Sequence, residues 1–250
     1  MNDELTSAII SNREKLEKRI GDIGRITEIN ELMLLVVQKN LAAIKKDLEQ
    51  IGKGGGTAKI IDHSLQLLEN TTKSPEVLAL KKIIREQIIV LYMGSSETFL
   101  SDTIKSVGNI KPEYFRFKTE NENITFNQSM LKSNFTLGDA LLEHIENKNY
   151  SFQDLKSTLN VFTNYLDIQL DVEDIKDSLI FMAATRHIIV HNSSVVDKKF
   201  LKQIRETSWA ELYSEGDNID VDQAMLDGML IAVQQFADLV VAAMIERDEE

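Results

Sequence analysis

DVEDIKDSLIFMAATRHIIVHNSSVVDKKF, residues 171–200, is the stretch whose reading decides the fold. Asp171 is a candidate N-cap, with Glu173 and Asp174 in the first turn, where acids suit the helix dipole. From Leu179 to Val190 every side chain is apolar except Thr185, Arg186 and His187. A helix that is apolar on all sides is buried between other helices. Ile175, Leu179, Met182 and Arg186 follow the 3/4 spacing of one face, so Arg186 sits on an apolar stripe. An unpaired charge there is anomalous, because burying it costs several kcal/mol. His191 follows five residues later beside Asn192, and the rest of the chain reads as the scaffold for these groups.

The 250 residues hold two prolines, eleven glycines and 43% apolar side chains, which favours long helices and a substantial core over a turn-rich all-β fold. The absence of cysteine excludes disulfides and thiol catalysis and is compatible with a reducing cytoplasm. No basic, apolar, small-residue signal opens the chain. No uninterrupted apolar run reaches about 18 residues; even Met229–Ile245 carries Gln234, Gln235 and Asp238. A cytoplasmic protein with no membrane partner is expected. The net charge of -12 argues against a broad grip on nucleic acid, whose affinity comes from phosphate neutralisation. RNA would need a local positive field. Lys198, Lys199, Lys202 and Arg205 are the candidates for it; their plainer reading is a solvated helix face.

Residues 3–51 carry a heptad pattern. Ile20, Leu34, Leu41 and Leu48 fall on one series and Leu16, Ile23, Val37, Ile44 and Ile51 on the other, with Thr27 and Asn30 interrupting. Gly21 and Gly24 are expected to divide the helix. The segment reads either as an oligomerisation arm or as a helical hairpin packed on its own domain. Leu32, Met33, Leu35 and Val36 widen the stripe and favour the hairpin. Gly52-Lys53-Gly54-Gly55-Gly56 reads as a linker, since no Ser or Thr follows the lysine as a phosphate loop requires. Ser74-Pro75-Glu76 starts a long helix to about Ser106. Within it, small Gly94, Ser95 and Ser96 permit close approach of another helix. Glu97 beside them is either a partner for Arg186 or an ordinary solvated acid. Residues 109–135, asparagine-rich and with Pro112, read as a long loop. Capping boxes at Thr136/Asp139, Ser151/Asp154 and Asp220/Gln223 open further helices, Asn192-Ser193-Ser194 ends the central one, and Trp209 and Tyr213 anchor a connection. The expected fold class is all-α. The domains are a helical arm at 1–52, a linker with a short helix at 53–75 and a helical domain at 76–250.

Four readings compete for Arg186, His187 and His191. The i, i+4 histidines suit a metal, but the remaining histidines are distant in sequence and no metal site is expected. A buried polar network and an inert interface are the second and third. The fourth is a metal-free ribonuclease. RNA carries its own nucleophile, the 2′-hydroxyl. An imidazole suits proton transfer at neutral pH, and a guanidinium offers a fork of donors that matches phosphate oxygens. On an ideal helix residues 186 and 191 lie about 140° apart. They converge only if the helix ends or distorts near His191, or if a second subunit supplies half of the site.

Arg186-His187-Ile188-Ile189-Val190-His191-Asn192, followed by Val195-Val196-Asp197-Lys198-Lys199-Phe200, resembles the signature of HEPN domains: arginine, a polar residue, a short gap, histidine. The stretch Ile89–Ile104, which contains Glu97, is similar to the first long helix of the larger members, and the helix after Asp220 fits the last. The resemblance covers roughly residues 76–246. It implies a HEPN-like helical bundle with an N-terminal helical extension and a homodimer with the motifs facing each other. It also implies metal-independent endoribonuclease activity without cofactors. The setting it implies is toxin–antitoxin or antiviral defence, with an antitoxin or defence protein as a further partner. Arg186 and His191 would be the catalytic pair, with His187, Asn192 and Glu97 in support. Some HEPN toxins carry a modified tyrosine two positions after the histidine; here that position is Ser193. Other members are non-catalytic dimerisation or binding modules, which is the alternative reading.

Overall fold

Few helix breakers produce long helices. The structure is a computed structural model that describes residues 4–51, 55–117 and 134–249, without the side chains at 27–32 and 34. Its α-helices are α1 (Glu4–Gln50), α2 (Gly55–Thr72), α3 (Pro75–Ile110), α4 (Leu137–Asn147), α5 (Leu155–Leu166), α6 (Lys176–Asn192), α7 (Lys198–Ile204) and α8 (Gln223–Glu249). Among the described residues there is no strand, only an isolated bridge between Val195 and Asn218. The fold class is all-α. Gly52–Gly54 of the linker, residues 118–133 of the long loop, and the heptad positions Thr27, Asn30 and Leu34 lie outside the described residues or side chains.

Local chemistry sets the helix starts. Pro75 occupies the first position of α3, and the Val77 N–H donates to Ser74 Oγ at 3.4 Å. Thr136 and Asp139 form the expected capping box on α4. The other starts differ from expectation. Asp154 itself caps α5, accepting from the Ser157 N–H at 2.8 Å, while the Ser151 N–H donates to Ser157 Oγ. Asp222, not Asp220, accepts from the Met225 N–H at 2.8 Å ahead of α8. Asp171 takes the Glu173 N–H in a turn, and α6 begins only at Lys176 with no side-chain cap, because Val172 and Ile175 fold inward and are buried. Gly21 and Gly24 do not divide α1, which is unbroken. A mid-helix glycine costs only about 1 kcal/mol against alanine, too little to break a helix this long.

The chain packs as two units, residues 1–20 with 89–250, and residues 21–88. The units meet inside α1 and α3, where packing partners change along unbroken helices. In the first unit the opening turns of α1 bury Leu5, Ile9, Leu16 and Ile20. They are tied to α8 by the Arg13–Asp238 ion pair at 2.8 Å and to α3 by Asn12, whose amide donates to Ser106 Oγ at 3.1 Å. Residues 4–20 are thus part of the main bundle. In the second unit Lys45 of α1 pairs with Asp62 of α2 at 2.6 Å, and Ile23, Ile61 and Ile88 are buried.

Helix α8 is long and apolar enough to cross a membrane by length and composition. In the bundle, Leu226, Met229, Val233, Phe236, Val240 and Met244 of α8 are buried. Helix α6 packs against α5, α7 and α8. Phe181 stacks on Trp209 with centroids 4.2 Å apart and meets Phe200 edge-on at 6.0 Å, so the expected anchoring role of Trp209 holds.

The crossing of α3 and α4 depends on two glycines. A Cβ at Gly138 would lie 2.2 Å from the Lys105 carbonyl oxygen, and one at Gly108 would lie 2.8 Å from the Gly138 Cα. The same crossing carries the Lys105–Asp139 ion pair at 2.9 Å. That pair and the Thr136 cap hold the Asp139 carboxyl down at about 2. A folded pKa below the ordinary 3.8 means that this contribution to stability is complete above pH 3.8 and is lost as pH falls toward 2. Gly138→Ala is expected to destabilise by about 1–3 kcal/mol through forced helix displacement. Gly228→Ala, with nothing within 4 Å of the added carbon, is expected to be neutral or to stabilise by up to about 1 kcal/mol. Urea denaturation at neutral pH distinguishes the two.

Candidate functional site

Helix α6 divides its side chains between core and cleft. Leu179, Phe181, Met182, Ala184, Thr185 and Ile188 are buried. Lys176, Ile180, Ala183 and His187, at steps of four, three and four, line an open cleft of about 760 Å³. Arg186 lies between the two faces. It continues the buried stripe of Leu179 and Met182, yet it is half-buried and reaches the cleft. The opening to solvent lets a guanidinium end an apolar stripe without the full cost of a buried charge.

The opposite walls come from α5, with Lys156, Leu159 and Asn160, and from α7, with Lys199 and Gln203. Asp154 and Glu173 also border the cleft, but Asp154 is engaged in capping α5 and Glu173 pairs with Lys176. Among the described residues Lys156 and Lys199 make no ion pair. A chain of net charge -12 thus holds a local excess of Lys156, Arg186 and Lys199 around one open cleft. The buried Gln203 Oε1 on its wall has no hydrogen-bond partner among the described residues.

Glu97 on α3 stands close enough to Arg186 to feel its charge, although no direct bridge forms among the described residues. Burial pushes the Glu97 carboxyl above the ordinary carboxylate range; Arg186 and the neighbouring Gln153 side chain pull it partly back. Glu97 Oε1 is buried without a hydrogen-bond partner among the described residues. Glu97 is half-buried and lies near Arg186 without a direct ion pair among the described residues.

The two histidines do not share one position. His187 is half-buried on the cleft, whereas His191 is exposed and is not among the lining residues. Their rings touch, with centroids 4.8 Å apart. The helix neither ends nor distorts before His191: it runs through Asn192 and stops at Ser193, which adopts φ 51° and donates its N–H to the Ile188 carbonyl. Within one chain, Arg186 and His191 therefore diverge by about 140°, and the imidazole that shares the cleft with Arg186 is His187. Burial lowers the His187 pKa from the ordinary 6.5, and Lys199, His191 and Arg186 push in the same direction against Asp197. His187 is neutral at pH 7 and able to accept a proton. Among the described residues no group of three or more His, Asp or Glu side chains gathers as a metal would require.

The remaining expected residues separate. Asn192 donates to the Val195 carbonyl at 2.7 Å and shapes the end of α6. Lys199 lines the cleft, while Lys198 and Lys202 are exposed outside its lining. Lys156, Asn160 and Lys176 were not anticipated. Their signal in the sequence is the i, i+4 spacing of Lys156 and Asn160 on one face of α5. Comparison with protein-family models, with curated proteins and with solved structures gave no match.

A pH titration followed through the imidazole resonances is expected to give His187 a midpoint below 6.5. Lys199→Met is expected to move that midpoint upward by removing a neighbouring cation. A midpoint above 6.5 contradicts the geometry described.

Proposed function

We propose that this chain is a metal-independent endoribonuclease of the HEPN type, with the cleft beside α6 as its phosphate site. The observation that carries the reading is the placement of Arg186 and His187 together on an open cleft ringed by Lys156 and Lys199. The guanidinium holds the non-bridging phosphate oxygens and offsets the charge that gathers on them. A neutral imidazole takes the proton of the 2′-hydroxyl as that oxygen attacks the adjacent phosphorus. A protonated imidazole gives a proton to the departing 5′-oxygen. The new bond is 2′-O–P, the broken bond is P–O5′, and the products are a 2′,3′-cyclic phosphate and a 5′-hydroxyl. His187 and His191, in ring contact, are the two imidazoles available within one chain. His191 remains the assigned acid/base group of the motif, and His187 becomes an active participant in place of a supporting one. Glu97 positions Arg186 from α3. The cellular setting that goes with this reading is a defence or toxin–antitoxin system.

The divergence of Arg186 and His191 on an unbroken helix favours a second reading, a non-catalytic HEPN module that binds a phosphate-bearing or protein partner. Single-stranded RNA incubated with the protein in EDTA separates the two. The ribonuclease reading expects cleavage with cyclic-phosphate ends, a loss of about 100-fold or more in Arg186→Ala, and a comparable loss in His191→Ala. Cleavage is expected to weaken as pH falls and His187 takes up a proton. Binding without cleavage by the wild-type protein supports the second reading, and activity abolished by chelation contradicts the first.

A further inference from the structure

The cleft beside α6 is larger than a phosphate requires. At about 760 Å³ it falls in the range of about 300–1,000 Å³ that holds a whole small molecule. Its charged end is formed by Arg186, His187 and Lys199. Away from that end its walls are apolar. Leu155, Leu159 and Ile180 line the cleft and are only half-buried, so each keeps hydrocarbon surface uncovered. Ile180 lies about two turns before His187 on the same face of α6, ~10 Å away along the helix axis. The start of α5 lies at the charged end, because Gln153, just ahead of it, stands beside Glu97, which feels Arg186. Asn160 lies ~8 Å beyond Leu155 along α5. It is exposed and lines the cleft, and its side-chain amide makes no hydrogen bond among the described residues.

We propose that the cleft seats one unpaired adenosine residue of the RNA, its base against Leu155, Leu159 and Ile180 and its edge read by Asn160. The inference rests on the ribonuclease reading, which puts the adjoining phosphate on Arg186 and His187. A base held between apolar side chains must leave its stack, so the substrate is single-stranded at that residue. A free amide offers one donor and one acceptor side by side. Adenine presents the matching pair at N6–H and N7, whereas guanine presents two acceptors, O6 and N7, at the same edge. A purine also reaches further from its phosphate than a pyrimidine, which leaves the Asn160 end of the cleft unfilled. Asn160 is therefore a specificity-determining residue: it lies along α5 away from Arg186 and takes no part in proton transfer.

The test titrates the full chain with inorganic phosphate, 5′-AMP and the uncleavable 2′-O-methyl dinucleotides ApA, GpG, CpC and UpU, following the His187 imidazole resonances. Inorganic phosphate is expected to move His187, and ApA is expected to bind roughly 10-fold or more tighter than UpU. Asn160→Leu is expected to bring ApA down to the level of UpU. The side chain is exposed, so the variant is expected to fold, and circular dichroism checks that it does. Leu159→Ser is expected to weaken all four dinucleotides. Equal affinity for the four, or a preference for ApA that survives Asn160→Leu, overturns the base seat and leaves the phosphate reading standing. Binding of 5′-AMP 10-fold tighter than ApA assigns the cleft to a free nucleotide and overturns the RNA residue. If neither phosphate nor any dinucleotide moves His187, the ribonuclease reading falls and the base seat falls with it.

Discussion

The burial of Leu179, Phe181, Met182 and Ile188, spread over about half of the circumference of α6, fixes where its polar side chains emerge. Each of these side chains contributes about 1.5–3 kcal/mol when removed from water, so together they outweigh any single polar preference of the helix. The stacked contact of Phe181 with Trp209 and its edge contact with Phe200 set the rotation of the helix about its axis. Once that rotation is set, His187 must face the cleft, Arg186 must lie at the border of core and solvent, and His191 must project beyond it. A rotation of α6 by one residue step would bury Arg186 without a direct partner, at a cost of several kcal/mol.

The site inherits its chemistry from that placement. Partial burial, aided by the Lys199 and Arg186 charges, lowers the His187 pKa and so favours its neutral form. The same cations make the cleft receptive to an anion in a protein whose overall charge repels one. Glu97 works in the opposite sense. It is partly desolvated and carries an oxygen with no hydrogen-bond partner among the described residues, so it offers Arg186 attraction without a bridge that would withdraw the guanidinium from the cleft. Catalysis by such a site would rest on positioned charge and two proton carriers, which is what phosphate transesterification requires.

The all-α class, most helix bodies and the end of α6 at Ser193 were legible in residues 171–200 and in the scarcity of proline, because these depend on local pattern. Helix starts were less legible. Asp171, Asp220 and Ser151 carry the right side chains for caps, but the burial of Val172 and Ile175 and the hydrogen bonds of Asp154 and Asp222 decide which residue caps. The unit boundaries were not legible, since nothing in the local sequence marks where α1 and α3 exchange one set of neighbours for another. Of the site, Arg186, His187, Lys199 and Glu97 come to one region, whereas Lys156, Asn160 and Lys176 reach it only through the packing of α5 and α6. Periodicity identified the face of Arg186 but could not show that a cleft opens beside it.

The central claim is that Arg186 and His187 hold a phosphodiester between them. A direct measurement is titration of the protein with a 2′-O-methyl dinucleotide, which cannot be cleaved, while the His187 imidazole resonances are followed. The account predicts that they shift with the ligand, that the His187 midpoint rises as the bound phosphate favours the imidazolium, and that Arg186→Ala abolishes both effects. Ligand-induced shifts confined to residues outside the cleft, with His187 unmoved, would contradict it.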